Sequence, residues 1–220
     1  MKRLSTVVAA GTLAAAVVLT PAAAQAETLT LPLTDAVASL TTAEEDRTGY
    51  ERNAFRHWVD TDSDGCNTRY EVLIEEAVTA PVVDARCQLQ GGEWTSYYDG
   101  VTHSDPRRLD IDHMVPLAEA WDSGASAWDA DRRRDYANDL GDPRSLVAVT
   151  AAANRSKADQ DPATWLPPSA EVHCRYISEW VAVKLRWGLA ADPAEQDALT
   201  TIAADCDAGT VVDVTEAPAA

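Results

Sequence analysis

Apolar positions in the first half of the chain recur with two different spacings. Segments 34–46, 50–59 and 68–78 carry apolar residues at the three-to-four-residue spacing of a helix. Segment 85–97 instead alternates around Gly91-Gly92, a pair typical of a tight turn, and this predicts a β-hairpin. We expect these elements to support the polar motifs that follow them.

The middle of the chain switches between strand and helix patterns. Residues 108–115 alternate as a strand, and residues 145–149 form a short apolar run typical of a buried strand. Helical stretches at 118–121 and 127–137 lie between them, and a further helix begins within 150–154. The predicted order is therefore strand, helical excursion, strand and helix.

Two more helices are predicted near the C-terminal end. Residues 169–187 have apolar positions at helical spacing and are followed by Gly188, which favours a helix end. Pro193 begins a second helix, with Asp192 as its cap. The tail 207–220 has no periodicity and is predicted to be disordered.

The first 26 residues have the pattern of a secretory signal peptide. Lys2 and Arg3 precede the apolar stretch 7–20, which leads to the small residues of Ala24-Gln25-Ala26. Cleavage after Ala26 leaves 194 of the 220 residues as a secreted chain. We expect one domain over 27–206, a monomer, and no association with a membrane.

Four cysteines in an exported chain predict two disulfides, and three pairings are open from their number alone. If the two C-terminal helices fold back as an antiparallel hairpin over 169–206, Cys174 faces Cys206. This geometry pairs Cys174 with Cys206 and leaves Cys66 with Cys87. The chain has no CxxC spacing, which argues against a cysteine zinc site.

The mature chain is strongly acidic. Without Lys2 and Arg3 it has 16 basic against 36 acidic side chains, a net charge of −20. This charge excludes a protein that coats nucleic acid or anionic membranes by bulk attraction. Eight of the 16 basic residues lie within 107–157, among them Arg132–Arg134, and we expect a local phosphate-binding surface there.

Three polar motifs fall within the predicted strand, strand and helix. Asp110-Ile111-Asp112-His113 ends the first strand, Asn138-Asp139 precedes the second, and Asn154-Arg155-Ser156-Lys157 lies on the helix. A carboxylate and an amide oxygen suit a hard divalent cation, and a neutral imidazole is able to take a proton from water. Hydrolysis of a phosphodiester with one metal ion needs this combination.

These motifs resemble the HNH nuclease motif on a ββα-metal fold. More narrowly, the chain resembles secreted actinobacterial HNH endonuclease-family proteins related to the C-terminal domain of GmrSD-type restriction endonucleases. Further matches to that narrower family are Asp64-Gly65-Cys66-Asn67-Thr68-Arg69, Ala120-Trp121-Asp122-Ser123-Gly124-Ala125 and residues 161–168. The resemblance runs from about Tyr50 to Cys206.

The resemblance implies a fold and a set of roles. It implies an α+β protein with a ββα-metal (HNH) core at 107–168, surrounding helices and two disulfides. The implied activity is hydrolysis of DNA, with RNA left open, to give 5′-phosphate and 3′-hydroxyl ends. The implied roles are general base for His113, ligands of Mg²⁺ or Mn²⁺ for Asp112 and Asn154, orientation of the base for Asn138, and phosphate contacts for Arg155 and Lys157.

An acidic loop forms a second metal-like pattern. Asp60, Asp62, Asp64 and Glu71 fit the spacing of an EF-hand calcium loop, although Asn67 stands where an aliphatic residue is usual. We favour a disulfide-anchored acidic turn over a Ca²⁺ site at this position. The alternative function is a calcium-stabilised extracellular binding protein whose HNH core is inactive.

Overall fold

The computed structural model describes residues 28–218, so the predicted signal peptide lies outside the described residues. The helices are α1 Leu33–Ala38, α2 Thr68–Glu75, α3 Leu117–Asp122, α4 Ala130–Ala137, α5 Ala151–Lys157, α6 His173–Trp187 and α7 Pro193–Ala204. The strands are β1 Thr28–Pro32, β2 Val82–Val83, β3 Leu89–Gln90, β4 Trp94–Thr95, β5 Thr102–His103, β6 Leu109–His113, β7 Leu146–Thr150 and β8 Val211–Thr215. They form four antiparallel pairs, β1–β8, β2–β3, β4–β5 and β6–β7.

The central unit has the predicted order of strand, excursion, strand and helix. Asp112 of β6 pairs with Val147 of β7, and the α3–α4 excursion lies between the two strands in sequence. Helix α5 begins directly after β7, where the Thr150 hydroxyl accepts a hydrogen bond from the backbone N–H of Ala153. The helix packs against both strands.

The two faces of the β6–β7 pair have different surroundings because side chains alternate along a strand. Leu109 and Ile111 belong to a small apolar cluster with Val72 and Leu73 of α2. The opposite face carries Asp112, which contacts α5. The alternation therefore buries one face against α2 and directs the acidic residues of β6 towards α5.

The C-terminal helices form the predicted hairpin. Helix α6 ends at Gly188, whose φ of 66° lies in the left-handed region, and Asp192 caps α7. Cys174–Cys206 joins the two helices and Cys66–Cys87 closes the acidic loop, so both predicted disulfides are confirmed. Much of the main apolar core comes from α6, including the fully buried Trp180.

The prediction of a disordered tail is wrong for its central part. Strand β8 pairs with β1 over five residues, and its alternate side chains Val212 and Val214 are buried in the main core. Apolar alternation over only five residues does not distinguish a strand from an irregular segment. The partner strand β1 is far away in sequence: Thr30 of β1 pairs with Asp213 of β8, 183 residues later. A local sequence pattern carries no information about such a contact.

Three predicted elements differ from the structure. Segment 50–59 contains only a 3-10 turn at Arg52–Ala54, and the rest of its backbone is irregular. Its aromatic side chains still pack inward, as Phe55 does against Trp121. Helix α1 ends at Ala38 rather than near residue 46. The predicted hairpin about Gly91-Gly92 is instead a link between two pairs, because β3 pairs with β2 and β4 pairs with β5.

Candidate active site

A cavity of about 500 Å³ lies where β6 ends beside α5. Four residues predicted for the site line it, namely Asp112, His113, Asn154 and Arg155. The β6–β7 pairing and the α5 packing bring these residues together from positions more than 40 apart in the sequence. Two other predicted site residues, Lys157 and Asn138, have different surroundings.

Asp112 is buried and held in one orientation. Its Oδ2 accepts hydrogen bonds from the Tyr98 hydroxyl at 2.6 Å and from the Lys157 ammonium at 2.5 Å. Burial raises the pKa of Asp112, and the positive charge of Lys157 opposes that rise. The two contacts leave Oδ1 as the oxygen available to a ligand.

The predicted phosphate contact of Lys157 is wrong because its side chain is 0% exposed. Besides Asp112, the ammonium donates to the carbonyl oxygens of His113 at 2.9 Å and Met114 at 2.8 Å. Burial lowers the pKa of Lys157, and the Asp112 carboxylate opposes this change. Lys157 therefore holds the end of β6 in place, and its ammonium is not exposed in the cavity.

His113 has a defined tautomer. Its Nε2 lies 3.0 Å from the carbonyl oxygen of Ala137, so Nε2 carries the proton and Nδ1 carries the lone pair. Burial lowers the pKa of His113 to about 3, which keeps the imidazole neutral at pH 7. The Trp58 ring lies 5.7 Å from the imidazole, and Tyr136 stacks on it at 6.4 Å.

Asn138 does not orient the base, and this part of the prediction is corrected. Its Oδ1 accepts from the Val59 N–H at 3.0 Å and the Thr68 hydroxyl at 2.8 Å. Its Nδ2 donates to the carbonyl oxygens of Arg56 and Arg134. The residue ends α4 and ties it to segment 56–59, while the carbonyl before it contacts the imidazole.

The donor set of the cavity fits a hard divalent cation. Asp110 Oδ2 accepts from the Asn154 amide nitrogen at 3.3 Å, which leaves Asn154 Oδ1 as a free acceptor. Within residues 28–218, neither Asn154 Oδ1 nor Asp112 Oδ1 has a hydrogen-bond partner. Carboxylate and amide oxygens are ligands that Mg²⁺ and Mn²⁺ prefer.

Segment 50–58 contributes residues that sequence patterns did not identify. Tyr50 and Arg52 line the cavity, and the His57 ring lies 6.4 Å from that of His113. The helical periodicity of this segment concealed their position. The signal that pointed to them was the start of the family resemblance near Tyr50.

The acidic loop brings its aspartates together. One oxygen each of Asp60, Asp62 and Asp64 lies within 4.8 Å of the others, and the backbone N–H of Gly65 donates to Asp60. Burial, together with these three carboxylates, raises the pKa of Glu71. The helix that precedes an EF-hand loop does not form here, and the disulfide-anchored acidic turn stays the favoured prediction, with calcium binding as its untested alternative.

Residues 73–202 match the family described as GmrSD restriction endonucleases, C-terminal domain. An uncharacterized secreted protein of Arthroderma benhamiae is 42% identical over 158 residues, which are 72% of this chain and 76% of that protein. No solved structure matches the chain.

Secretion is the predicted localisation, and it is confirmed by the description of this relative. Within residues 28–218, no helix combines the length and the apolar character needed to cross a membrane.

Proposed function

The chain belongs to the family of the GmrSD restriction endonuclease C-terminal domain, and we propose that it is a secreted, metal-dependent nuclease that hydrolyses phosphodiester bonds of DNA. One observation carries this proposal. A neutral imidazole of defined tautomer, a carboxylate, a carboxamide and a guanidinium line a single solvent-accessible cavity.

His113 is the general base of the proposed reaction. Its Nε2–H is bound to a carbonyl oxygen, so Nδ1 is the atom that accepts a proton from the attacking water. Burial in the free protein makes the imidazole a weak base. A phosphate anion in the cavity raises its proton affinity, because an opposite charge favours the protonated form.

Asp112 and Asn154 would hold the metal ion through one oxygen each, and the bound ion would supply positive charge to the phosphate and its leaving oxygen. Lys157 and Tyr98 keep the Asp112 carboxylate from rotating. Asp110 does the same for the Asn154 amide. Mg²⁺ and Mn²⁺ suit these oxygen donors equally on chemical grounds.

Arginines extend from the cavity along one surface. Arg52 and Arg155 line the cavity, and the Arg155 side chain is 78% exposed. Arg155 also lines a neighbouring cavity of about 400 Å³, together with Arg107 and Arg108. A nucleic-acid backbone lying across both cavities would meet four guanidinium groups, which bind phosphate well.

The narrower assignment to the ββα-metal (HNH) superfamily rests on topology and motif position. The antiparallel β6–β7 pair is followed at once by α5, and the Asp112-His113 and Asn154-Arg155 motifs lie on β6 and α5. This assignment leads us to expect 5′-phosphate and 3′-hydroxyl products.

Nicking of supercoiled plasmid tests the proposal. The parent chain should nick DNA with Mg²⁺ or Mn²⁺ and lose activity in excess EDTA. His113→Gln keeps an N–H donor near the Ala137 carbonyl and should lower the rate by about 10²–10⁴-fold. His173→Ala, which removes an imidazole outside the cavity, is the matched control.

Full activity in EDTA, or a folded His113→Gln variant that cleaves within a few-fold of the parent, would contradict the proposal. A parent chain that cleaves with neither metal but is stabilised by Ca²⁺ would favour the calcium-stabilised binding protein with an inactive core. Thermal denaturation of each variant shows whether a loss of activity reflects unfolding.

A further inference from the structure

Three carboxylates outside the candidate active site converge beside α3. One oxygen each of Glu45, Glu119 and Asp122 lies within 4.8 Å of the others. Glu119 and Asp122 are three residues apart on α3 and therefore lie on one face of that helix. Two oxygens bound to one Ca²⁺ at 2.3–2.6 Å are separated by up to about 5 Å, so this spacing fits a shared cation.

An unpartnered buried atom lies in this cluster. The Asp122 side chain is 1% exposed, and its Oδ2 accepts from Arg47 at 2.5 Å. Within the described residues, its Oδ1 is buried and has no hydrogen-bond partner. A buried carboxylate oxygen without a partner is costly, and a bound cation would satisfy it.

Within the described residues, the carboxylates around this cluster outnumber the cations that pair with them, since Arg47 and Lys184 are shared among Glu119, Asp122 and Glu195. Lys184 donates to Glu119 at 2.9 Å and to Glu195 at 2.5 Å, so one ammonium serves two carboxylates. Glu45 also lies within 4.8 Å of carboxylate oxygens of Asp161 and Asp192.

We propose that Glu45, Glu119 and Asp122 bind a divalent cation, Ca²⁺ in the secreted protein, at a site separate from the catalytic one. Oxygen donors alone and a surplus of negative charge favour Ca²⁺ over softer metals. The site shares no side chain with the Asp112–Asn154 pair or with the acidic loop.

The proposed cation would link the segment after α1 to helix α3. Two residues after Glu45, Arg47 forms ion pairs with Asp122 at 2.5 Å and with Asp159 at 2.6 Å. The same segment continues into Tyr50 and Arg52, which line the candidate active site. Binding therefore stabilises one wall of that cavity without contacting the substrate.

Calcium titration of variants tests this site, with CaCl₂ as the only ligand and isothermal calorimetry as the readout. Glu45→Gln should bind one calcium ion fewer than the parent, or bind that ion with an affinity at least tenfold lower. Glu44→Gln, the same change one residue earlier, should bind as the parent does. Asp62→Asn in the acidic loop should retain the equivalent that Glu45→Gln loses.

A second variant, Asp122→Asn, should show the same calorimetric loss, and in both variants calcium should raise the melting temperature less than in the parent. The site is disproved if both variants bind calcium with the stoichiometry and affinity of the parent, or if the parent binds none at 10 mM. Plasmid nicking with Mg²⁺ is measured separately, so failure of this site and failure of the proposed nuclease function are distinguishable.

Discussion

The two lysines within residues 28–218 are fully buried and paired with carboxylates. Lys157 serves Asp112, and Lys184 serves Glu119 and Glu195. A charge in a protein interior requires a partner, since isolated burial of an ion costs several kcal/mol. Removal of either lysine would therefore leave buried carboxylates without a compensating charge. Removal of an exposed arginine such as Arg155 would not leave a buried charge unpaired.

Replacement of Lys157 separates a structural role from a phosphate contact. Lys157→Met should lower the free energy of unfolding by about 3–5 kcal/mol, because Asp112 stays buried without its cation. Arg155→Met, an exposed control, should change stability little and reduce DNA binding. Urea denaturation measures the first effect. An unchanged urea midpoint for Lys157→Met with loss of DNA binding would instead support a phosphate contact.

At the scale of elements, strand β7 is held from both sides. It pairs with β6 along one edge, while the backbone N–H of Ala148 donates to Glu76 at 2.7 Å on the other side. Glu76 stands at the end of α2, so this bond joins the helix to the strand that precedes α5. Burial raises the pKa of Glu76 to about 7, with the bond to Ala148 opposing the rise.

This pKa predicts a pH-dependent stability. The folded value of about 7 exceeds the ordinary 4.5, so the folded chain binds more protons between these values. The contribution of Glu76 to stability therefore falls as pH rises through this window. Glu76→Gln should stabilise the chain by about 1–3 kcal/mol at pH 8 and little at pH 4.5.

Thermal denaturation at several pH values measures this difference. Glu75→Gln, an exposed neighbour, is the matched control and should show no such trend. A stabilisation of Glu76→Gln that is equal at pH 4.5 and pH 8 would show that ionisation is not its cause.

The β1–β8 pair predicts that the tail contributes to stability. Truncation after Asp207 removes the buried Val212 and Val214 and the carbonyl of Thr215 that Arg186 binds at 2.8 Å. Burial of two valines suggests a loss of about 3–6 kcal/mol. Truncation after Ala217, which keeps β8, is the control, and equal melting temperatures for the two truncations would contradict this expectation.

At the scale of the whole molecule, few arginines are available to a polyanion. Arg132 lies over the Trp128 and Trp187 rings at 4.9 and 5.5 Å, and Arg133 donates to three carbonyl oxygens. Arg134 is only 38% exposed and pairs with both Asp131 and Asp135, whereas Arg107 is 88% exposed and pairs with Asp105 alone. The expected phosphate surface therefore excludes Arg132–Arg134 and consists of Arg52, Arg107, Arg108 and Arg155.

A footprint of this size predicts a shallow salt dependence. Four phosphate contacts give a slope of log affinity against log salt no steeper than about −4, since each neutralised phosphate contributes about 0.9. Salt also screens the repulsion between DNA and a chain of net charge −18. Titration of His113→Gln with a short duplex measures the slope, and Arg155→Gln should reduce its magnitude by about one. A much steeper slope would indicate a larger basic surface.

Local pattern by itself determined the central order of strand, excursion, strand and helix, the C-terminal hairpin and both disulfides. Each of these features depends on residues close in sequence or on the antiparallel packing of two consecutive helices. Apolar periodicity and capping residues indicate both in the sequence. Local pattern also singled out Asp112, His113, Asn154 and Arg155 as candidates, and these four residues line one cavity because they lie at the ends of those same elements.

Tertiary structure alone decided the roles of Lys157 and Asn138, the path of segment 50–59 and the pairing of β8 with β1. Lys157 has the same local sequence whether its ammonium points to solvent or to Asp112, and the choice depends on the core that closes over it. Asn138 binds backbone groups far away in the chain. Such contacts depend on long-range packing, whose free energy exceeds local preference and leaves no periodic signal in the sequence.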